Sequence, residues 1–369
     1  MLAYIVRRLA LMIPTLLGIM VINFGIVQLA PGGPIEQIIA EVTGTDAGTT
    51  GRISGGGSEI SGGNASASAS ASTADSGYRG AQGLDPEFIK DLERQFGFDK
   101  PIHERFLKMM GDFIVFDFGT SFFRDETVID LVLSKMPVSI SLGLWTTLIV
   151  YLVCIPLGIR KAVMDGTRFD VWTTTLLTIG FAIPSFVMAI LLIVLFSGGS
   201  FFDIFPLRGL TSENFDELSV IGQIFDYMWH LILPITALVL GGFLSLTMLT
   251  KNSYLDQINM LYVQTARAKG LTERRVMYGH VFRNAMLIVI AGFPGAFIGI
   301  LFTGAMLIEI IFSLDGLGLL GFEAAIKRDY PIMFATVYFF TLLGLLMNLV
   351  GDLMYTIIDP RIDFEGRHV

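Results

Sequence analysis

A chain of 369 residues with 53% hydrophobic and 16% charged side chains, and with a positive mean hydropathy, falls outside the range of soluble globular proteins and reads as a polytopic membrane protein. Its net charge of -8 is concentrated in one hydrophilic segment, Pro31 to Pro137, which holds sixteen Asp and Glu against nine Lys and Arg. That sign and the apolar bulk argue against a nucleic-acid partner, and the lone cysteine, Cys154, cannot form an internal disulfide.

A bilayer core of roughly 30 Å requires about 20 apolar residues in helical form. Six runs meet this test, approximately Leu9–Leu29, Val138–Ile159, Val171–Phe196, Trp229–Thr250, Ala285–Ile308 and Ile332–Ile358. They are continuous rather than alternating over about ten residues, so the sequence predicts an all-α bundle and not a barrel. The first run follows Arg7 and Arg8, is too long for a signal-peptide core of roughly 7 to 15 residues, and ends at Pro31-Gly32-Gly33-Pro34 without an A-x-A cleavage pattern. Residues 1–30 therefore read as an uncleaved N-terminal anchor helix.

The elongated loop over 31–137 has two parts. Residues 44–83 are Gly, Ser, Ala and Thr with almost no large apolar side chain, a composition that reads as a flexible linker. Over 84–130, Asp85-Pro86 starts a helix with Phe88, Ile89, Leu92 and Phe96 on one face, and a second amphipathic stretch after Pro101 aligns Ile102, Phe106, Met109, Met110 and Phe113. Such helices either pack on the bundle rim or lie in the lipid interface. The membrane core then spans 138–358, followed by a tail over 359–369.

Orientation comes from the short loops. With the N-terminus inside, the inner segments carry thirteen Lys and Arg and the short outer loops only Arg208, Lys327 and Arg328, which predicts that both termini are cytoplasmic. Gly and Pro recur inside the apolar runs, at Ile13-Pro14, Ile155-Pro156, Ile183-Pro184, Leu233-Pro234 and Gly292-Phe293-Pro294-Gly295. As a set they suit a bundle that changes shape, with Pro184 and Pro294 as gating candidates. Glu309 and Asp352 are ionisable groups at span ends, where charge is costly unless it faces protein or water, and a helix-end or interface role fits both. Thr178, Ser185 and Thr303 are polar positions within apolar runs and are the candidate path-lining residues.

The chain lacks a G-x-x-x-x-G-K-S/T phosphate loop, an H-E-x-x-H or Cys/His metal spacing, and a G-x-S-x-G elbow; its four histidines are scattered. These absences argue against an enzyme and predict no metal site or resident cofactor. What remains is a polar island at 251–284, between the fourth and fifth runs.

In that island, Gln264-Thr265-Ala266-Arg267-Ala268-Lys269-Gly270 resembles the EAA loop of ABC importer permeases, with Gln264 and Thr265 in place of Glu and Ala, and His280-Val281-Phe282-Arg283 in place of its terminal I-x-L-P. Arg7-Arg8-Leu9, Phe96-Gly97-Phe98-Asp99-Lys100-Pro101, Asp117-Phe118-Gly119-Thr120-Ser121 and Ile183-Pro184-Ser185-Phe186 are similar to the peptide-permease branch. So are Glu309-Ile310-Ile311-Phe312-Ser313-Leu314-Asp315-Gly316-Leu317-Gly318, Arg328-Asp329-Tyr330-Pro331 and Asp359-Pro360-Arg361. The long outer loop with Tyr78-Arg79-Gly80 narrows the resemblance to the YejB-type branch of the oligopeptide/dipeptide permease B family.

That resemblance implies a type I ABC importer permease (MetI-like) fold of six transmembrane helices in a bacterial inner (plasma) membrane. It implies binding-protein-dependent peptide transport with a second homologous permease subunit as partner. It also implies two ABC ATPase domains that hold ATP and Mg, an extracytoplasmic peptide-binding protein, and a coupling helix formed by Gln264 to Lys269 and closed by Gly270. The residue chemistry agrees: Thr265, Ala266 and Ala268 keep the helix slim, Arg267 and Lys269 are available to acidic groups, and Thr272 and Glu273 are placed to start the next helix. A secondary transporter driven by an ion gradient and a non-transporting receptor or assembly subunit are the alternatives; the first predicts midplane ion sites and an inverted repeat.

Overall fold

The computed structural model describes residues 2–29, 33–42, 86–95, 97–197, 201–299 and 306–358. The linker at 44–83, Thr303 and the tail from 359 lie outside them. Among the described residues the chain is helical, with one isolated antiparallel bridge between Thr120 and Thr127.

The elements in chain order are α1 (Leu2–Leu29), α2 (Pro34–Val42), α3 (Pro86–Gln95), α4 (Ile102–Ile114), α5 (Val128–Val163), α6 (Arg168–Ala182) and α7 (Ser185–Phe196). They continue with α8 (Val220–Ile258), α9 (Leu261–Ala268), α10 (Glu273–Ala285), α11 (Leu287–Gly299), α12 (Met306–Ile311), α13 (Leu317–Lys327) and α14 (Tyr330–Ile358). Four helices are long and apolar enough to cross a membrane unbroken: α1, α5, α8 and α14. Two further pairs qualify only as bent units, α6 with α7 at 91° and α10 with α11 at 46°, so six spans result if each pair is one.

The bends have local causes. At Ile183-Pro184 the proline lacks an N–H, Ile183 is extended (φ -87°, ψ 117°) and α7 restarts at Ser185. At the second bend, the Ala285 carbonyl accepts from Ser253 Oγ at 2.5 Å and the Val289 carbonyl from Tyr151 Oη at 3.2 Å, side-chain bonds of the kind found where a helix kinks.

The observed helices shift several expected boundaries. The helix that carries the second run begins at Val128, ten residues before the run itself and inside the stretch read as outer loop. Thr127 accepts from the Asp130 N–H at 3.2 Å and donates to its carboxylate at 2.6 Å, a cap that starts the helix early. The fourth helix runs from Val220, capped by Ser219 accepting from the Gly222 N–H, through Ile258. The fifth run, placed at 285–308 by hydropathy, is instead preceded by helix from Glu273.

The chain divides into two units. One comprises Met1–Leu17, Leu133–Leu320 and Tyr338–Val369; the other comprises Gly18–Val132 and Gly321–Val337. In the first, a continuous core joins Leu142, Cys154, Ala189, Ala237, Tyr254 and Val263 to Val276, Val281, Met286, Val289 and Ile308. α8 is its axis, packing on α6, α7 and α10. Gly158 is a close-approach point: a Cβ there would lie 2.6 Å from Thr250 Cβ and 2.8 Å from the Thr247 carbonyl, so only glycine lets α5 and α8 meet.

In the second unit, α2 and α3 pack through Ile35, Ile39, Ile89 and Leu92. Ile89 and Leu92 lie on the face predicted for α3, but Phe88 is exposed; α2 was not anticipated. On α4, Phe113 is buried and Phe106, Met109 and Met110 half-buried, whereas Ile102 is exposed. Ser121 Oγ donates to the buried Asp329 carboxylate at 2.5 Å, Phe122 N–H to its other oxygen at 3.3 Å, and Arg124 pairs with Glu323 at 2.7 Å. Burial pushes the Asp329 carboxyl above its ordinary range against the opposing pull of those hydrogen bonds and of Arg124.

Candidate functional site

The polar island folds as a short helix held on two buried side chains. Along α9, Val263 is fully buried and Ala266 nearly so, three residues apart on one face, and they join the core with Tyr254 and Val276. Burying the valine alone contributes about 1.5–3 kcal/mol. The opposite face presents Leu261, Gln264, Thr265, Arg267, Ala268 and Lys269 to solvent. The entry to α9 is braced by Tyr262 Oη donating to Gln257 Oε1 at 2.9 Å.

The exit is closed by Gly270. Its N–H donates to the Arg267 carbonyl at 2.9 Å, the Leu271 N–H to the Ala266 carbonyl at 3.4 Å, and its φ is +78°: a Schellman cap in which a left-handed residue reverses the chain. Leu271 packs against the core that holds Ala266, which completes the motif. Thr272 occupies the next N-cap position without a side-chain cap bond, and Glu273 instead reaches back to Arg267, with Nε at 3.1 Å and Nη2 at 2.5 Å. Arg267 is thus paired within its own loop, while Lys269 is exposed on the turn. Downstream, Val276–Val281 is π-helical and buries Val276, Met277 and Val281.

Lys161 and Lys251 are among the thirteen cations of the inner segments. The structure makes them an ion-pair chain. Lys161 on α5 is fully buried; its ammonium lies 2.8 Å from the Asp170 carboxylate and donates to the Asp170 carbonyl (2.8 Å) and the hydroxyls of Thr173 (2.8 Å) and Thr174 (2.7 Å). Asp170, in the first turn of α6, also takes Lys251 of α8 at 2.7 Å and the Gly166 N–H at 3.2 Å, and Lys251 reaches Asp165 at 2.7 Å. Three helices are joined at one point, and its α8 member, Lys251, lies ten residues before the start of α9. The available signal was a lysine at the end of an apolar run followed within ten residues by an aspartate, a spacing that lets the two charges pair.

The remaining predicted residues fall in separate places. Thr178 is exposed on α6 with its hydroxyl donating to the Thr174 carbonyl at 2.9 Å, and Ser185 opens α7 beyond the 91° bend. Thr303 lies outside the described residues. Pro184 is at that bend, and Pro294 is buried in α11. Asp352 on α14 accepts from Arg8 at 2.8 Å and Tyr4 at 2.9 Å, tying it to α1.

Glu309 is a helix-end anchor: fully buried on α12, it accepts from Ser139 Oγ at 3.1 Å and from the Leu319 N–H at 2.7 Å in the first turn of α13, while Ser139 Oγ accepts from the Leu317 N–H at 2.8 Å. A Cβ on Gly316 would lie 2.3 Å from Glu309 Oε1, which is why the segment Asp315-Gly316-Leu317-Gly318 needs its first glycine. Among the described residues no cluster of His, Cys, Asp and Glu is arranged to hold a metal ion.

Comparison with known proteins bears on this arrangement. Residues 154–364 match the family described as binding-protein-dependent transport system inner membrane component. The chain is 58% identical to the inner membrane ABC transporter permease protein YejB of Escherichia coli O157:H7, over 99% of this chain and all of that one. It is 61% identical to the peptidoglycan transport system permease protein YejB of Agrobacterium fabrum, over the full length of both. The oligopeptide transport system permease protein AppB of Bacillus subtilis is 33% identical over 99% of this chain and all of that one.

Proposed function

The chain belongs to the family of binding-protein-dependent transport system inner membrane components, multi-pass permease subunits whose ATPase resides in other subunits, and from that premise we propose that it imports oligopeptides. The relative named for oligopeptide transport supports this substrate class. The chain supplies half of a translocation path, completed by a second homologous permease. Two ATPase domains dock beneath it, an extracytoplasmic binding protein delivers the peptide, and both termini are cytoplasmic.

The observation that carries the reading is α9: a slim helix anchored by Val263 and Ala266, stopped by Gly270, with its other face open for a partner. In the cycle, ATP-driven closure of the ATPase pair moves α9, and the bent spans convert that motion into an outward-facing state; hydrolysis resets it. The test is reconstitution of the chain with its co-purifying subunits and measurement of peptide uptake with ATP, with an ion gradient, and with neither. Uptake with ATP alone is expected. Gradient-driven uptake without ATP, or peptide binding without uptake, would refute the reading.

A further inference from the structure

The second unit contains a cavity of about 540 Å³, within the range of small-ligand sites. Its floor is aromatic: Phe24 stacks on Phe334 at 5.8 Å, and Phe98 and Tyr330 approach at 6.1 Å. Around this floor stand four cations, Arg94, Lys100, Arg105 and Lys108, and three carboxylates, Asp99, Asp112 and Asp117. Among the described residues, α9, Thr178 and Ser185 are not part of it.

Arg105 is the oriented group. Its guanidinium carbon lies 4.6 Å from the centroid of the Phe98 ring, and its Nη2 donates to Gln28 Oε1 at 2.9 Å, so the planar fork is held in place before anything binds. Such a fork matches a carboxylate in shape and charge. The three carboxylates disfavour a polyanion and provide for a cationic group on the same ligand. An aromatic floor takes an apolar side chain between the two.

We propose that this cavity is a peptide subsite, in which Arg105 receives the C-terminal carboxylate and the Phe24/Phe98/Phe334 floor receives the terminal side chain, with Asp112 or Asp117 meeting a peptide ammonium. The proposal rests on the oligopeptide reading and adds to it a recognition element in the permease itself. Most of its lining belongs to the segment 31–137, which the charge count of the short loops assigns to the outer side, the side from which peptide arrives.

The test uses the complete complex with its partner permease and ATPase subunits in phosphatidylcholine nanodiscs, without binding protein. Equilibrium binding of labelled Ala-Ala-Leu is compared with that of its C-terminal amide, for the wild type and for Arg105→Gln; ATP-driven uptake is measured in parallel in liposomes supplied with the binding protein. The free acid is expected to bind at least about tenfold more tightly than the amide, the scale of a charge-assisted hydrogen bond, and the Arg105→Gln variant to lose that preference. The wild-type comparison of acid and amide stands even where the variant folds poorly. ATP-driven uptake with equal binding of acid and amide, or a preference that survives in Arg105→Gln, overturns the subsite and leaves the importer intact. Displacement of the peptide by added phosphatidylethanolamine, with no preference for the free acid, also overturns it in favour of a lipid site. Absence of ATP-driven uptake overturns both readings.

Discussion

The turn at Gly270 separates two explanations of why a glycine ends α9, shape and size. Its φ of +78° is in the left-handed region, yet a Cβ at this position would meet nothing within 4 Å in this chain. Conformation alone therefore sets the penalty of substitution here: about 1–2 kcal/mol for an ordinary L residue, less for Asn, whose side chain tolerates this region, and more for a β-branched one. A loss of 1–2 kcal/mol shifts the closed turn by about 5–30-fold. With it would go the Leu271-to-Ala266 and Gly270-to-Arg267 bonds that terminate α9.

The variants Gly270→Asn, Gly270→Ala and Gly270→Val should then fall in that order. The measurement is peptide imported per ATP hydrolysed in the reconstituted complex, with hydrogen exchange over residues 266–271 as the structural readout. Asn is expected to retain most coupling; Val should lose exchange protection and hydrolyse ATP with little transport. If Asn uncouples as fully as Val while the exchange pattern stays native, size in a partner's cleft governs the position and the conformational argument is wrong. If Val keeps both protection and coupling, the cap has no role.

Four further outcomes follow from packing and charge. Gly316→Ala, whose Cβ would lie 2.3 Å from Glu309 Oε1, should cost about 1–3 kcal/mol as overpacking, read as a lowered thermal midpoint in detergent; Glu309→Ala combined with it should restore part of the loss. Gly158→Ala should force α5 from α8 against the Thr247 carbonyl at 2.8 Å, with a similar drop by the same assay. Lys161→Met leaves the nearly buried Asp170 without one of its cations and should destabilise by about 3–5 kcal/mol, while Lys161→Met with Asp170→Asn should recover part of that in a double-mutant cycle. Asp329 has a folded-state pKa raised by burial, so the native unit binds a proton that the unfolded chain releases near pH 4; stability should fall as pH rises from there through the raised value, and Asp329→Asn should flatten that slope in unfolding midpoints measured across pH.

How much of this was legible depended on what kind of force sets each feature. Spans announce themselves through hydropathy, because lipid tolerates nothing else over about 20 residues. Their ends do not: the start of α5 is set by a hydrogen-bonded cap at Thr127, and hydropathy is blind to a cap. Gly270 was readable because a glycine after an alanine-rich helix has one common use. The partner of Arg267 was not, since sequence offered acidic groups on other subunits and the fold supplied Glu273 across the turn. The Lys161, Asp170 and Lys251 chain was hidden because a positive charge near a span end has a sufficient topological explanation, and only its complete burial shows that it does more.

The placement of that chain also determines how motion at α9 can travel. α9 is fixed to the core through Val263 and Ala266, next to Tyr254 of α8, so a displacement of α9 carries the end of α8 with it rather than sliding past. Lys251, one turn before Tyr254, is tied by Asp170 and Lys161 to α6 and α5. Breaking that tie without a substitute leaves charge in a dry site, so the ends of the three helices move as one body. Compliance has to come from elsewhere, and two places supply it in this same unit: the break at Ile183-Pro184, where α6 and α7 share no continuous ladder, and the bend after Ala285, where side chains of Ser253 and Tyr151 bond to helix carbonyls. The π-helical turn at Val276–Val281 lies between α9 and the second of these and contributes a further irregular step. A rigid junction at one end of the spans and hinges within them is the division of parts that a transmitted push requires.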